Sequence, residues 1–484
     1  MAHKLPSVCL NEIFEHLDDD ITTLHSTLLT NHHFCGIVVS ILWRDIWRFY
    51  NRYGMNYIRN SLSILSTLIS CLPTVSRCLL QINGVNLTAP TSKSPSFNYI
   101  SFIKVLSLFR IDQLIEDVVI NQRINTTQSL DYNKHLIAQE LLKSFMKDIP
   151  SLKSLDLCCD FSTRIVQNVP FSNFPGATSC LADLSNLKCS SNSLLPQTFQ
   201  NIQSLTIKFV EKVSNRLIQL LNSQHQLKNL ELNAYLIHVD WLNVIPALTR
   251  HYGTLTKLCI HSNSDVPLSF VSYFINLQEL IISIRIPFEG FNGLKFARFT
   301  KLRIFKIPHE VPKLEMLIKF LENNGINLDE FSTSVVYPDK SLNQSLVRFC
   351  PNLKKLSINF GNDELETLKT IFVHCQYLES IKIWCQDDYN RLNGRNLLEV
   401  VVNHAPKNFY ELKIYMNLIL LPTDLEKFFI SWKDRSPQKT LSLVIIIDEF
   451  SLEIKEEIIN VIERYKVLGI IRKFEIKRID NEVE

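Results

Sequence analysis

The stretch LKKLSI at residues 353–358 places large apolar side chains at its first, fourth and sixth positions, and LESIKI at residues 378–383 repeats the arrangement. Because successive side chains of a strand point to opposite faces, the fourth and sixth positions share one face, and the third, fifth and seventh share the other. The pattern therefore predicts a short strand that is buried on one side. Further copies, with Ile, Phe or Cys at some positions, begin at residues 103, 152, 184, 202, 227, 255, 277, 302 and 409, and fainter ones begin at 328 and 441.

These copies are regularly spaced over the second half of the chain. First positions fall at 255, 277, 302, 328, 353 and 378, which gives a period of about 22 to 26 residues. Apolar residues at helical spacing in 314–321 and 365–372 predict a helix between successive strands. The unit resembles the leucine-rich repeat, and Asn192, Asn263 and Asn417 occupy the ninth position, where that repeat often has an asparagine.

The resemblance implies an α/β solenoid, with parallel strands on its concave face and helices on its convex face. Residues 452–467 predict a last helix, and the alternation in 473–477 predicts a charged edge strand that suits a terminal cap. A nucleotide-binding α/β domain is the alternative for such a pattern. The chain has only 11 glycines and no glycine-rich phosphate-binding motif, which argues against a nucleotide-binding domain.

Composition limits the classes of function. The chain is 46% hydrophobic and 20% charged, which is typical of a folded protein, and its net charge of +3 gives no drive toward nucleic acid. No apolar run reaches membrane-spanning length and no signal-peptide pattern follows Met1, so we expect no membrane partner and a cytoplasmic or nuclear location. The twelve cysteines form no C-x-x-C pair, and we expect them to act as small buried hydrophobes.

Residues 5–50 predict three short helices. Leu5-Pro6 marks a helix start, because proline is favoured in a first helical turn, and apolar residues follow at helical spacing. The carboxylates of residues 18–20 precede a second helical stretch, where negative charge suits a helix N-terminus. A calcium loop is the alternative, but the glycine and the distal glutamate that it needs are absent. So small a module cannot bury all its apolar side chains, which predicts an exposed docking patch.

This module resembles the F-box in the order and spacing of its residues. The matching positions are Leu5-Pro6, Ile13-Phe14, Leu17, Leu24, residues 31–35 and Leu42-Trp43-Arg44. Ser7 and Val8 stand where an acidic residue often follows Leu-Pro in that family. The resemblance implies an F-box domain over 1–50, a connecting helical segment and irregular first repeat over 51–100, and a degenerate repeat solenoid with a C-terminal cap over 101–484. An ordinary three-helix cap on the following domain is the alternative.

The F-box resemblance implies a non-catalytic target-recognition subunit of an SCF-type ubiquitin ligase. Such a subunit binds the SCF adaptor, and cullin through it, while its repeats hold a target protein; it needs no cofactor and no metal. The implied adaptor contacts, or the core that supports them, are Leu5, Pro6, Ile13, Phe14, Leu17, Leu28 and Trp43. The alternative is a leucine-rich-repeat interaction scaffold that is unconnected to ubiquitination.

The later strands offer a candidate target-binding surface. Their outward positions interleave positive charge with aromatic rings, at Lys355, Lys382, Trp384, Lys413 and Tyr415. Such a surface suits an acidic or phosphorylated peptide. A merely solvated lysine face is the alternative. We nominate no catalytic residue, because the adjacent pairs His32-His33 and His374-Cys375 lack the spacing of metal ligands or of a nucleophile and its base.

Overall fold

The computed structural model describes residues 5–49, 57–85, 95–121, 129–158, 169–193, 199–210, 212–235, 239–333, 339–384, 393–415, 421–435, 439–447 and 456–478. The chain forms two compact units, Met1–Leu227 and Lys228–Glu484. The boundary between them therefore falls inside the segment 101–484 that the sequence groups as one repeat region. Within the described residues, no helix is both long enough and apolar enough to cross a membrane.

The first unit begins with helices and adds short strands later. Its helices are α1 (Ser7–Glu15), α2 (Ile21–Leu28), α3 (His32–Leu42), α4 (Tyr57–Ser70), α5 (Thr74–Ile82), α6 (Leu108–Asn121), α7 (Leu130–Asp148), α8 (Ala177–Leu181) and α9 (Asn215–Ser223). Its strands are β1 (Val105–Ser107), β2 (Ser154–Asp156), β3 (Asn186–Ser190) and β4 (Ser204–Lys208). The strands pair in parallel and in chain order.

The described residues of the second unit form ten further strands, which also pair in parallel and in chain order. These are β5 (Asn229–Ala234), β6 (Lys257–Ser262), β7 (Glu279–Ile284), β8 (Ile304–Ile307), β9 (Glu330–Thr333), β10 (Lys355–Asn359), β11 (Ser380–Trp384), β12 (Glu411–Tyr415), β13 (Leu441–Ile447) and β14 (Ile471–Arg478). Its helices are α10 (Trp241–Thr249), α11 (Leu314–Asn324), α12 (Lys340–Phe349), α13 (Leu365–His374), α14 (Gly394–His404), α15 (Pro422–Lys433) and α16 (Glu456–Val467). The expected mixed α/β class with parallel strands is confirmed.

Apolar motif positions set the strand register in the second unit. The fourth-position residues and their register partners lie side by side in the order Leu230, Leu258, Leu280, Phe305, Phe331, Leu356, Ile381, Leu412, Leu443 and Phe474. All of them up to Leu443 are buried, and they pack with apolar residues of the helices, as the Phe305–Phe320 ring pair at 4.6 Å shows. Full burial of such a side chain stabilises the fold by about 1.5–3 kcal/mol.

Backbone groups at the strand entrances are satisfied in a repeating way. The carbonyl of Lys228 accepts hydrogen bonds from the N–H groups of both Thr256 and Lys257, at 2.8 and 3.0 Å. The same double acceptance recurs at residues 256, 278, 303, 329, 354 and 379. Buried backbone groups need such partners, so this arrangement fixes how each strand begins beside the one before it.

Buried amide side chains close the connections between helices and strands. Asn324, at the end of α11, accepts a hydrogen bond from the Phe299 N–H at 2.7 Å and donates to the Ala297 carbonyl at 2.9 Å. In the first unit, Gln224 accepts from the Ile202 N–H at 3.0 Å. Each side-chain amide supplies the hydrogen-bond partners that these backbone groups would otherwise find in water.

The cysteines divide between core and surface. Among the ten cysteines that the structure describes, five are buried and three are half-buried. Burial raises the pKa of the Cys259 thiol to about 12, so this thiol stays protonated at neutral pH. The buried set is Cys180, Cys189, Cys259, Cys350 and Cys375. Cys9 and Cys78 are exposed, against the expectation of burial, because both occupy outward positions of short helices.

Two of the three ninth-position asparagines are in described segments. The Asn263 side chain donates to the Tyr235 carbonyl at 2.8 Å, which ties the turn after β6 to the turn after β5. Asn192 lies in the turn after β3. Asn417 lies outside the described residues.

Candidate functional site

The first three helices form a bundle whose turns are capped by side chains. Asp20 precedes α2 and accepts hydrogen bonds from the Thr23 backbone N–H at 3.0 Å and from its hydroxyl at 2.6 Å. Asn31 precedes α3 and accepts from the Phe34 N–H at 2.9 Å. These caps satisfy N–H groups that have no partner within the helix. In the described part of the chain, no three His, Cys, Asp or Glu side chains are placed to hold a metal ion.

A small apolar core holds the bundle together. It consists of Leu10, Phe14, Leu24, Val38 and Ile41, with five half-buried neighbours packed around it. The rings of Phe14 and Phe34 meet edge to face with their centroids 5.2 Å apart. The core does not include Leu5 or Val8, so these side chains are available for other contacts.

Two arginines after α3 bind carboxylates at the end of α1. Arg44 pairs with Glu15 through two hydrogen bonds, one of them at 2.9 Å. Arg48 pairs with Asp18 at 2.8 Å, and this hydrogen bond holds the pKa of the Asp18 carboxyl below its usual value. The pairs fix the direction of α1 and therefore the position of its exposed face.

The seven residues implied for adaptor binding fall into three groups. Leu5 (52% exposed), Ile13 (47% exposed) and Pro6 lie at the surface. Phe14 lies in the core, and Leu17 and Leu28 pack against it. The Trp43 ring instead lies 4.5 Å from the Tyr99 ring, outside the three helices. The sequence gives no way to separate these groups, because all seven residues are apolar and share the helical spacing.

Some exposed apolar residues of the bundle have no place in the family pattern. Val8 is 73% exposed on α1, and Leu29 is 72% exposed just after α2. Val8 lies between Leu5 and Ile13 along the same stretch of chain, on the side of α1 away from Leu10 and Phe14. We call Leu5, Val8 and Ile13 the α1 patch. In the sequence Val8 is only a departure from the family pattern, and its exposure becomes evident when the three helices are assembled.

The end of the bundle also contacts the first strand of its own unit. The Trp47 indole N–H donates to the Val105 carbonyl at 3.1 Å. The Arg44 carbonyl accepts from the Lys104 N–H at 2.8 Å, just before β1. The segment that follows α3 therefore covers the edge of β1, as a cap does.

The implied target-binding residues lie on one side of the second unit's strands. We call this side, which carries the third, fifth and seventh motif positions, the open face. Lys382 and Lys413 are register partners on β11 and β12, and Lys355 is exposed on β10. Trp384 and Tyr415 are only 9% and 6% exposed, and their rings lie 5.6 Å apart in a cluster with Val444 and Ile446.

Most lysines of this surface already have contacts. The Lys382 ammonium lies 4.3 Å from the centre of the Trp384 ring, and the Trp384 indole donates to the Ser357 hydroxyl at 3.1 Å. The Lys413 ammonium lies 3.4 Å from the Glu411 carboxylate. The surface therefore has an apolar floor with charges around it, where the sequence suggests exposed rings.

A scan of the chain against protein-family models finds no match, and a search of curated proteins finds no similar sequence.

Proposed function

We propose that this protein is the target-recognition subunit of an SCF-type ubiquitin ligase. The N-terminal bundle binds the SCF adaptor, and the strands of the second unit bind a target protein. The contribution to ubiquitin transfer is proximity, because a target held beside a charged conjugating enzyme reacts as if at high local concentration. The observation that carries the proposal is the α1 patch: three exposed apolar side chains on a bundle whose own core is complete.

Exposed apolar side chains along a short helix suit docking into a partner. Exposure of an apolar side chain to water is unfavourable, and a partner that covers it gains about 25 cal/mol of binding free energy per Å² of apolar surface buried. The two arginine–carboxylate pairs hold α1 in place before binding, so little order has to be gained in the complex. A docking module needs a helix that is held in place and carries exposed apolar side chains.

The test is capture of purified SCF adaptor by the full-length chain. We expect the wild-type protein to bind, and Val8→Glu/Ile13→Glu to bind at least about thirtyfold more weakly, since buried interface anchors contribute 2 kcal/mol or more. Val75→Glu is the matched control, because Val75 is 80% exposed on α5, outside the bundle. Failure of the wild-type protein to bind adaptor would show the proposal to be wrong.

A second candidate function is favoured by the contacts with β1. The Trp47–Val105 hydrogen bond and the Arg44–Lys104 hydrogen bond are those of a terminal cap on a repeat scaffold. On that reading the bundle protects a strand edge and meets no adaptor. Binding of adaptor by wild type, together with its loss in Val8→Glu/Ile13→Glu, separates the two functions, because neither residue takes part in the β1 contacts.

The proposed target surface has its own test. Lys355→Glu/Lys382→Glu reverses two charges of the open face and keeps the Trp384 and Tyr415 side chains. If targets bind there, proteins that accumulate in cells carrying Val8→Glu/Ile13→Glu also accumulate in cells carrying the lysine variant, although that variant still binds adaptor. Normal turnover of those proteins in the lysine variant would place the target elsewhere. Lys407→Glu, at an exposed site after α14, is the control.

A further inference from the structure

A group of polar and titratable side chains gathers at the ends of β5 to β8, on other strands than those of Lys382 and Trp384. Asn233, His261 and Ser283 are register partners on three neighbouring strands, and all occupy the seventh motif position of the open face. Tyr235 follows β5, Arg285 follows β7 and His309 follows β8. Parallel strands deliver their ends to one edge, which is where α/β proteins commonly bind ligands.

Tyr235 connects the members of this group. Its hydroxyl lies 3.2 Å from His261 Nδ1 and 3.2 Å from the Ser283 hydroxyl, while the Arg285 guanidinium lies 4.6 Å from the centre of its ring. Ser283 is almost fully buried, and His261 is half-buried. The Tyr235 hydroxyl therefore holds the His261 imidazole and the Ser283 hydroxyl in place, and the Tyr235 ring contacts the Arg285 guanidinium.

Arg285 carries the fixed positive charge of the group. Arg285 is exposed and forms no ion pair within the described residues. Glu231 lies 3.9 Å from His261 Nε2 and accepts a hydrogen bond from the Asn233 amide at 3.0 Å. Glu310 follows His309, and its backbone N–H donates to the Ile284 carbonyl next to Arg285. Other charges on these strands pair with each other, as Lys257 does with Glu279 at 3.0 Å and Lys306 with Glu330 at 2.6 Å.

We propose that Tyr235, His261, Ser283, Arg285 and His309, here called the Arg285 cluster, bind a phosphate monoester, such as a phosphorylated side chain of a bound protein. Arg285 and two imidazoles that gain protons on binding bring three positive charges against the carboxylates of Glu231 and Glu310, and a phosphate dianion favours this proton uptake more than a single carboxylate does. Arginine and imidazolium donors also suit several oxygens at once. That a target protein carries the phosphate rests on the proposed function; the phosphate site itself does not.

Proton uptake accompanies binding at such a site. Burial is the main cause that lowers the pKa values of His261 and His309 in the free protein, and the Arg285 charge lowers both further, whereas Glu231 acts in the opposite direction on His261. Both imidazoles are therefore mostly neutral at pH 7. A bound dianion raises both pKa values, so the imidazoles gain protons, and affinity falls as the pH rises.

The experiment is calorimetric titration of the full-length protein with O-phosphoserine at pH 7.5, in two buffers of different ionisation enthalpy. At this pH the ligand is already a dianion, since its second pKa is about 6, and proton uptake then reports on the protein. We expect net uptake that decreases in His261→Gln and in His309→Gln. We expect Arg285→Gln to weaken binding at least about tenfold, and Arg298→Gln, at another exposed arginine, to leave it unchanged.

Three results overturn the proposal. They are no binding of O-phosphoserine at millimolar concentration, binding that is unchanged in Arg285→Gln, and glutamate binding as tight as that of O-phosphoserine, which would make this a carboxylate site. Adaptor capture by Arg285→Gln and phosphoserine binding by Val8→Glu/Ile13→Glu are measured alongside. If the protein does not bind adaptor, the phosphoserine measurement still tests the phosphate site. If phosphoserine does not bind, adaptor capture still tests the ligase role.

Discussion

The N-terminal bundle and the strands of the second unit use the same kinds of apolar residue and place them differently. In the bundle, five residues form the core, while Leu5, Val8 and Ile13 remain at the surface. In the second unit, the motif residues from Leu230 to Leu443 are buried on nine successive strands. A repeat that stacks on its neighbours has an apolar partner on both sides. A helix at the outside of a small bundle has a partner on one side only, and its other face is available for binding.

The largest expected effect separates these two kinds of apolar residue. Leu280→Ala removes a fully buried side chain from the middle of a strand and leaves a cavity, so we expect the free energy of unfolding to fall by about 2–5 kcal/mol. Val8→Ala removes a 73% exposed side chain, and we expect a change within about 0.5 kcal/mol. Urea unfolding followed by far-UV circular dichroism measures both. Equal losses in the two variants would mean that the α1 patch is part of the core.

A smaller effect is expected at the buried amide of Asn324. Asn324→Ala leaves the Phe299 N–H and the Ala297 carbonyl buried without their partner, which costs about 1–3 kcal/mol. Asn292→Ala, at an exposed turn of the same unit, is the matched control and is expected to be neutral. Urea midpoints of the two variants give the comparison. A neutral Asn324→Ala would show that the second unit is held by apolar burial alone.

The strand register was predictable from the sequence, and the reason is geometric. A period of two puts the fourth and sixth motif residues on one face, and their burial leaves a single way to align neighbouring strands. The predicted helices at 314–321 and 365–372 correspond to α11 and α13, because their apolar residues recur at helical spacing. Both signals are local to one repeat, and one sequence is enough to see them.

The sites were harder to predict because they depend on neighbours distant in sequence. Trp384 occupies an outward position of β11, yet Tyr415 on the next strand and Val444 on the one after it cover the ring. The Arg285 cluster draws on four strands and shows no motif along the chain. Trp43 contacts Tyr99, more than fifty residues away, and its family position does not indicate this. Such contacts follow from the assembled fold.

A pH-dependent effect is expected in the bundle. The Arg48 hydrogen bond lowers the pKa of Asp18, so this pair stabilises the bundle at pH values above the unfolded pKa of about 3.9, and the stabilisation is lost as pH falls through the lower folded pKa. We expect Asp18→Asn to destabilise residues 5–49 by up to about 1 kcal/mol at pH 7, because the pair is partly exposed. Hydrogen exchange of peptides from this region measures the loss. Glu12→Gln, at an exposed position of α1, is the control.

The smallest effect concerns the Trp384–Tyr415 ring cluster on the open face. The Lys382 ammonium is 4.3 Å from the Trp384 ring centre, a contact that contributes about 0.5 kcal/mol or slightly more. A double-mutant cycle of Lys382→Met and Trp384→Leu, read from urea midpoints, measures that coupling energy. The same cycle with exposed Lys355→Met in place of Lys382→Met is expected to give a value near zero. A clear coupling for Lys382 alone means that this lysine stabilises the ring cluster and that a ligand must compete for it. Zero coupling for both lysines would mean that neither one stabilises the ring cluster. Lys382 would then be available for a partner, as the α1 patch is.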